Sequence, residues 1–492
     1  MTTRKFQMLV DGAWIDAASG RTYESRYPAT GEVWSVLPDA DEADADRAVR
    51  AADAAFRSPA WRGLTATARG KLLRRLGDLI AEHAAELAEL ETQDNGKLIR
   101  ETRGQLAYLP EFFHYSAGLA DKLEGSTLPI DKTDMFAFTV PEPLGVVAAI
   151  IPWNSPLYLT AIKLAPALAA GNTLVIKPSE HASASILRFA ALVSEAGFPA
   201  GVVNVVTGLG PSAGAALTRH PLVRRIAFTG GPSTARHVIK ASAENFAKLS
   251  LELGGKSANI VFDDADLESA VNGAVAGIYA ASGQSCVAGS RLLVQDGIYD
   301  RFVAALTERM SRIRIGDPLD PNSDMGPMAT EQQLGVVETM VARAREEGAE
   351  VLAGGKRHAA EKGWYYEPTL LACTSDQLDV VQNEVFGPVA AIMRFSDDAE
   401  ALALANGTEY ALAAGIWTRD IGRAHRFARD VHAGIVWVNT YRAVSAMAPI
   451  GGFGASGYGR EGGIHAVLDY TELKTVWVNL SEQPMGDPFV MR

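Results

Sequence analysis

The chain has 492 residues, enough for two or three domains with large cores, and its 48% hydrophobic and 21% charged residues are those of an ordinary globular protein. A net charge of −12 argues against general nucleic-acid binding and against docking on anionic membranes, since both need a concentrated basic surface. Two cysteines cannot build a disulfide framework, and nine scattered histidines show no His-x-x-x-His or Cys-x-x-Cys metal spacing.

The first residues, Met1 to Gln7, lack an apolar leader, and the apolar run Leu144–Ile151 is too short to span a bilayer. A cytoplasmic protein is therefore expected, without metal, membrane or nucleic-acid partners. Short strands and turns open the chain at Met8–Val10, Trp14–Ile15 and Val33–Leu37. An Ala-rich helix is predicted from Asp41 to about Arg57, with acids in its first turn. A second runs from about Thr67 to Asn95 on the helical spacing of Leu72, Leu76, Leu79, Ile80, Leu87 and Leu90, and Asn95-Gly96 stops it.

From Pro143 to Gly230 strands and helices alternate. Gly145–Ile151, Thr173–Ile176, Val202–Val206 and Arg225–Thr229 read as strands, and Leu157–Ala170, Ser183–Ala196 and Ala213–Leu217 as helices. Short apolar strands separated by helices predict a parallel sheet covered on both faces. A second such region follows Gly254, with strands expected at Asn259–Val261, Arg291–Val294, Val389–Phe395, Ala414–Thr418 and Gly434–Asn439. Phe136–Val140 and Tyr470–Leu480 alternate outside either core, as an added sheet or subunit contact would. No repeat or low-complexity linker interrupts the chain.

Cys286 lies in Gly-Gln-Ser-Cys-Val-Ala-Gly-Ser-Arg (283–291), after a helix expected through Ala270–Ala281, and its small neighbours leave room around sulfur. A buried cysteine is otherwise an inert small hydrophobe, which is the reading given to Cys373. Glu252 ends an apolar run in Leu-Glu-Leu-Gly-Gly-Lys (251–256). It is either an exposed strand-edge carboxylate or a desolvated general base. Asn154, in Pro-Trp-Asn (152–154), either caps the helix that follows or donates to an oxyanion. Nucleophile, base and donor together outline covalent catalysis at a carbonyl.

Two glycine clusters compete for a phosphate. Gly208–Gly214 has Gly-x-Gly-x-x-x-Gly spacing between a strand and a helix, and Phe228-Thr-Gly-Gly-Pro-Ser-Thr234 has a similar setting. Either could be a plain turn. Lys177-Pro-Ser-Glu180 ends a strand at the same sheet edge, where a lysine and an acid could hold ribose hydroxyls.

Seven motifs in order resemble the aldehyde dehydrogenase superfamily over roughly Met8 to Trp477. They are Pro-Trp-Asn (152–154), Lys-Pro-Ser-Glu (177–180), Phe-Thr-Gly-Gly (228–231), Leu-Glu-Leu-Gly-Gly-Lys (251–256), Gly-Gln-Ser-Cys (283–286), Asn-Glu-Val-Phe-Gly-Pro (383–388) and Gly-Arg-Glu (459–461). The resemblance implies an α/β fold of two parallel-sheet, Rossmann-like domains plus a small β oligomerisation flap. The NAD-binding domain would comprise 1–122 and 144–254, the catalytic domain 255–455, and the oligomerisation element 123–143 and 468–492. A homodimer or homotetramer is implied.

The same resemblance implies NAD(P)-dependent oxidation of an aldehyde to the acid. Cys286 would form a thiohemiacetal and then a thioester, Asn154 and the Cys286 N–H would hold the oxyanion, and Glu252 would activate the hydrolytic water. Lys163 and Glu461 match proton-relay positions. Cofactor contacts are implied for Ile150, Pro152, Trp153, Lys177, Glu180 and Gly210, for Phe228, Thr229, Gly230 and Gly231, and for Ser233, Leu253, Glu384 and Phe386. Gly230-Gly231 is thereby placed near the pyrophosphate and Gly208–Gly214 beside the adenine, although Pro232-Ser-Thr-Ala235 departs from the commoner family form.

Glu180 favours NAD, because a carboxylate that accepts from the ribose 2′-OH repels a 2′-phosphate, with NADP as the second option. A glutamate at 252 favours hydrolysis over transfer to coenzyme A. The substrate tunnel would include Phe113, Tyr158, Ile162, Ser285, Val287, Arg442, Val444 and Ile450, with Ser155 and Leu159 beside them. Such a tunnel is wide and largely aliphatic, suited to bulky or aromatic aldehydes, and Arg442 could instead select a carboxylated semialdehyde. The alternatives are a semialdehyde dehydrogenase accepting CoA and a non-catalytic binding protein that keeps the fold.

Overall fold

The computed structural model describes residues 3–360 and 362–490, so the ends of the expected terminal segments, residues 1, 2, 491 and 492, lie outside the described residues. Its first large sheet has eight strands, ordered Gly457–Tyr458, Lys248–Glu252, Val223–Thr229, Val146–Ile151, Thr173–Pro178, Val203–Val205, Met8–Val10 and Ala13–Ile15. The five strands between Lys248–Glu252 and Val203–Val205 are parallel, and antiparallel strands close both edges. Val146–Ile151 and Thr173–Pro178 are almost wholly buried, which is why they read as continuous apolar runs.

Chain order reverses between the neighbouring strands Val146–Ile151 and Val223–Thr229. The carboxyl ends of strands at such a reversal diverge into a crevice, the usual ligand position in open α/β sheets. Pro152-Trp153-Asn154, Gly230-Gly231, Glu252 and Lys177 all come from those ends.

The second large sheet has seven strands, ordered Glu350–Ala353, Thr369–Ala372, Val389–Phe395, Arg291–Gln295, Ala258–Val261, Ala413–Trp417 and Ile435–Val438. All pairs are parallel except the outermost one at Glu350–Ala353. Met135–Pro143 pairs antiparallel with Thr471–Asn479 as a separate two-stranded ribbon. No helix among the described residues is long and apolar enough to cross a membrane.

Several local expectations change. The helix from Asp41 is Glu42–Arg57, with Asp41 and Asp44 forming a reciprocal cap. The long second helix is two, Ala66–Glu82 and Ala84–Asn95, because His83 leaves helical geometry (φ −107°, ψ 12°). The apolar stripe continues across that joint, so periodicity does not register it. The helix expected through Ala281 ends at Ile278, and Ala281 and Ser282 take left-handed φ of 52° and 53°. Ala213–Leu217 becomes a wide turn, Gly210–Gly214, followed by a short helix, Ala215–Arg219. The 21-residue helix Ile99–Leu119 is an addition, its period broken in sequence by Gly104 and Pro110.

Candidate active site

Cys286 is delivered by the left-handed turn after Ile278. At Gly283 (φ +72°) an added Cβ would stand 2.0 Å from the Gly387 carbonyl oxygen, so only glycine allows this approach. Gln284 anchors the loop: its side-chain oxygen accepts from the Ala329 N–H at 2.8 Å. Beyond the cysteine, the Tyr441 hydroxyl donates to the Val287 carbonyl at 3.0 Å. The Cys286 thiol is pushed up to about 12, chiefly by burial and then by the carboxylates of Glu384 and Glu252. At rest it is a neutral thiol. Cys373 lies in the core of the second sheet, 6% exposed.

Asn154 does not cap the helix that follows. Ser155 occupies the cap position of Pro156–Ala170 without a side-chain bond, and the Glu91 carboxylate accepts the Leu157 N–H at 3.2 Å. A carboxylate from another helix thus stabilises this helix N-terminus. The Asn154 amide is released for the cysteine loop and donates to the Gln284 carbonyl oxygen at 3.1 Å.

Glu252 is 7% exposed, on a strand paired on both sides, which overturns the exposed-edge reading. Its Oε1 has no hydrogen-bond partner among the described residues. An added Cβ at Gly451 would come within 2.8 Å of that oxygen. Burial, reinforced by the Glu461 carboxylate, raises the Glu252 pKa well above the ordinary carboxylate range. Lys163 is fully buried behind it, donating to Thr229 Oγ1 at 2.7 Å and to Glu461.

A cavity of about 760 Å³ joins these groups. Cys286, Asn154, Glu252 and Glu461 line it, as do Ser285, Val287, Tyr158, Ile162, Val444 and Ile450. Ser155, Leu159 and Arg442 form more of its wall. Phe113 does not line it: that ring is fully buried against Phe189, with centroids 6.0 Å apart. One helical residue turns a side chain by about 100°. The cavity face of Ile99–Leu119 therefore runs through Gln105 and Tyr108, and Phe112 backs Tyr158 edge-on at 5.3 Å. Lys97, Glu101, Gln105, Tyr108, Gln284 and Trp437 were not anticipated as lining residues. Lys97 was legible only as the residue after a helix-stopping Asn-Gly.

The cavity continues to the sheet reversal along Pro152, Trp153, Thr229, Gly230, Gly231 and Leu253, and reaches Glu384 and Phe386. Trp153 and Phe386 meet edge to face at 5.3 Å. Glu384 Oε1 accepts from the Gly255 N–H at 3.1 Å, and burial raises that carboxyl to about 7. Ile150 and Phe228 sit behind this wall, packed in the sheet core.

Lys177 and Glu180 form a pair at 3.2 Å. Burial lowers the Lys177 pKa; at Glu180 burial opposes ionisation, but Lys177, the Glu180 backbone N–H and His181 together outweigh it, so the carboxyl lies below its usual value. Gly231 opens Pro232–Asn245 with no side-chain cap, and nothing lies within 4 Å of an added Cβ there. Free helix N–H groups, an open glycine and a Lys–Glu pair fit a dinucleotide. Ser233 is exposed in that helix's first turn, and Gly210 is exposed on the wide turn.

A half-buried thiol, a desolvated carboxylate and a crevice at the sheet reversal fit an oxidoreductase of the two-sheet α/β class. The chain belongs to the aldehyde dehydrogenase family, whose family model matches residues 14–476. It is 53% identical to (Z)-2-((N-methylformamido)methylene)-5-hydroxybutyrolactone dehydrogenase of Acinetobacter baylyi, covering 99% of this chain and 100% of the relative. PnpE, a protein of Pseudomonas sp. WBC-3, has been solved in complex with nicotinamide adenine dinucleotide. It superposes with a TM-score of 0.96 at 46% identity, over 98% of this chain and 99% of PnpE. The NAD+ complex of aldehyde dehydrogenase from Bacillus cereus superposes at 0.95, with 42% identity and 97% of each chain covered.

Proposed function

We propose that the protein oxidises an aldehyde to the free carboxylic acid with NAD, through a thioester on Cys286. The observation that carries this reading is the opening of Cys286, Asn154 and Glu252 onto one cavity that continues to the sheet reversal. Cys286 Sγ bonds to the aldehyde carbon as its thiol proton passes to water, and the carbonyl oxygen becomes an oxyanion. The second Asn154 amide hydrogen and the Cys286 N–H are the donors for that charge. NAD, when bound, supplies the acceptor for the hydride that leaves the carbon. Glu252 takes a proton from water as its oxygen adds to the resulting thioester. The C–S bond then breaks, and the thiol regains a proton as the acid departs. Lys163 and Glu461 lie behind Glu252 as a route for its proton.

Lys177, Glu180, Gly230, Gly231, Glu384 and Phe386 would hold the dinucleotide, with the Glu180 carboxylate favouring a free ribose 2′-OH. NADH release over a broad aldehyde panel, with products resolved with and without CoA, tests the reading. Free acid independent of CoA supports it, and CoA-dependent acyl-CoA replaces it with the semialdehyde, CoA-accepting alternative. Protein that binds NAD yet releases no NADH from any aldehyde would instead be a binding protein.

We further propose a homodimer or homotetramer, joined through the Met135–Pro143 and Thr471–Asn479 ribbon. Leu473 and Trp477 share one face of that strand and are 68% and 55% exposed. The free thiols of Cys286 and Cys373 suit a reducing compartment, the cytoplasm.

A further inference from the structure

The cavity at Cys286 has two unlike kinds of lining. Ile162, Val287, Val444 and Ile450 are apolar. The polar lining includes Lys97, a lysine only 8% exposed that the chemistry at Cys286 does not use. Its ammonium donates to Ser155 Oγ at 2.6 Å and to Gln105 Oε1 at 3.0 Å. Glu91 Oε1 stands 3.9 Å from the same nitrogen.

An ammonium has only donors, so each group bonded to it must spend an acceptor. Ser155 keeps its hydroxyl proton, and Gln105 keeps its two amide hydrogens. Both side chains line the cavity, and Lys97 thereby sets them as donors toward whatever enters. Arg442 adds a guanidinium on the same cavity. It is held in a left-handed backbone (φ 62°) and donates once, to the Ala276 carbonyl at 3.1 Å. It has no carboxylate partner among the described residues, whereas Arg100, which also lines the cavity, is paired with Asp324 at 3.0 Å. Glu101, another carboxylate of the cavity lining, accepts the Ala281 N–H at 2.8 Å and so braces the turn before Cys286.

We propose that the substrate is an aldehyde with an apolar body and an oxygen acceptor remote from its aldehyde carbon, read by Ser155, Gln105 and Arg442, with Lys97 as the positioning residue. The proposal rests on Cys286 being the site of oxidation. The acceptor is a carboxylate or a carbonyl oxygen. A carbonyl draws on the Ser155 and Gln105 donors, and a carboxylate adds the charge of Arg442. Sites that hydrogen-bond a substrate group discriminate sharply against analogues without it, because the donors are then left unpaired.

The test compares kcat/KM, by NADH release from full-length protein, for three aldehydes of equal length ending in a carboxylate, a methyl ester and an alkyl group. The two oxygenated substrates should exceed the alkyl one by at least about tenfold. Ser155→Ala and Lys97→Met should shrink that ratio at least about threefold, and Arg442→Met should remove the carboxylate's advantage over the ester. A general loss of folding lowers all three rates and leaves the ratio intact, so the ratio reports recognition. Equal rates, a preference for the alkyl aldehyde, or ratios untouched by all three variants would overturn the proposal. Cys286→Ala separates the two readings: it should silence all three substrates, and NADH release that survives it defeats the assignment of Cys286 itself.

Discussion

The Asn154 side-chain amide donates to the Gln284 carbonyl oxygen at 3.1 Å, tying the turn after the Val146–Ile151 strand to the loop that carries Cys286. This bond joins the first large sheet to the loop that leads into the second. Asn154→Ala should lower kcat by about 100-fold or more with a much smaller change in KM, as expected for a donor used mainly on the oxyanion. Steady-state kinetics on one good aldehyde checks this, and a change confined to KM would contradict it.

Glu252 must be ionised to take a proton, and its pKa lies well above the usual carboxylate range. Thioester hydrolysis should therefore rise with pH through that elevated value and be lost on the acid side where an ordinary carboxylate is still charged. Because the Cys286 thiol lies near 12, attack should also quicken with pH. Glu252→Gln should give a single burst of NADH, about one per site, and then slow turnover. Rapid-mixing kinetics across pH 6–9 separates these phases.

An added Cβ at Gly254 would stand 1.9 Å from Glu384 Oε2. Gly254→Ala should therefore push the Glu384 carboxylate aside and weaken NAD binding about tenfold, the cost of one charge-assisted hydrogen bond. Because Glu384 titrates near 7, NAD affinity in the native protein should fall as pH drops through that value, when the carboxylate gains a proton and loses acceptor strength. Isothermal titration with NAD at pH 6 and 8 reads both effects.

Lys163 and Glu461 form an ion pair with side chains 0% and 4% exposed. Lys163→Met should destabilise the fold by about 3–5 kcal/mol by leaving a buried carboxylate without its counter-charge. Lys163→Met combined with Glu461→Leu should recover part of that loss. Denaturant unfolding of the three proteins is the measurement.

Trp477 is half exposed on the Thr471–Asn479 ribbon. Trp477→Glu should reduce the native mass in light scattering while the circular dichroism spectrum stays unchanged. A native-size oligomer would contradict the proposed interface, as would one formed by a chain truncated after Asp469.

Much of the fold is legible along the chain because its signals are local. Val146–Ile151 and Thr173–Pro178 are buried on both faces, so their apolar runs announce a parallel sheet. Asp41 and Asp44 mark a helix start through bonds that span three residues. His83 and Pro110 show the limit, since a one-residue joint leaves the stripe intact and a breaker inside Ile99–Leu119 hides a helix held by packing.

The residue types at the site, their order and the family they resemble were determined by the sequence alone. Roles that depend on the third dimension were not. Asn154 is removed as the helix cap by Glu91, which lies 66 positions from Leu157 and takes the helix N–H instead. Phe113 was misplaced because a helix face is a matter of rotation, and Lys97 went unnoticed because its meaning lies in Ser155 and Gln105, which it meets only after folding. Hydrogen-bond partners and desolvation come from chain segments far apart in sequence, and only the tertiary structure brings them to one place.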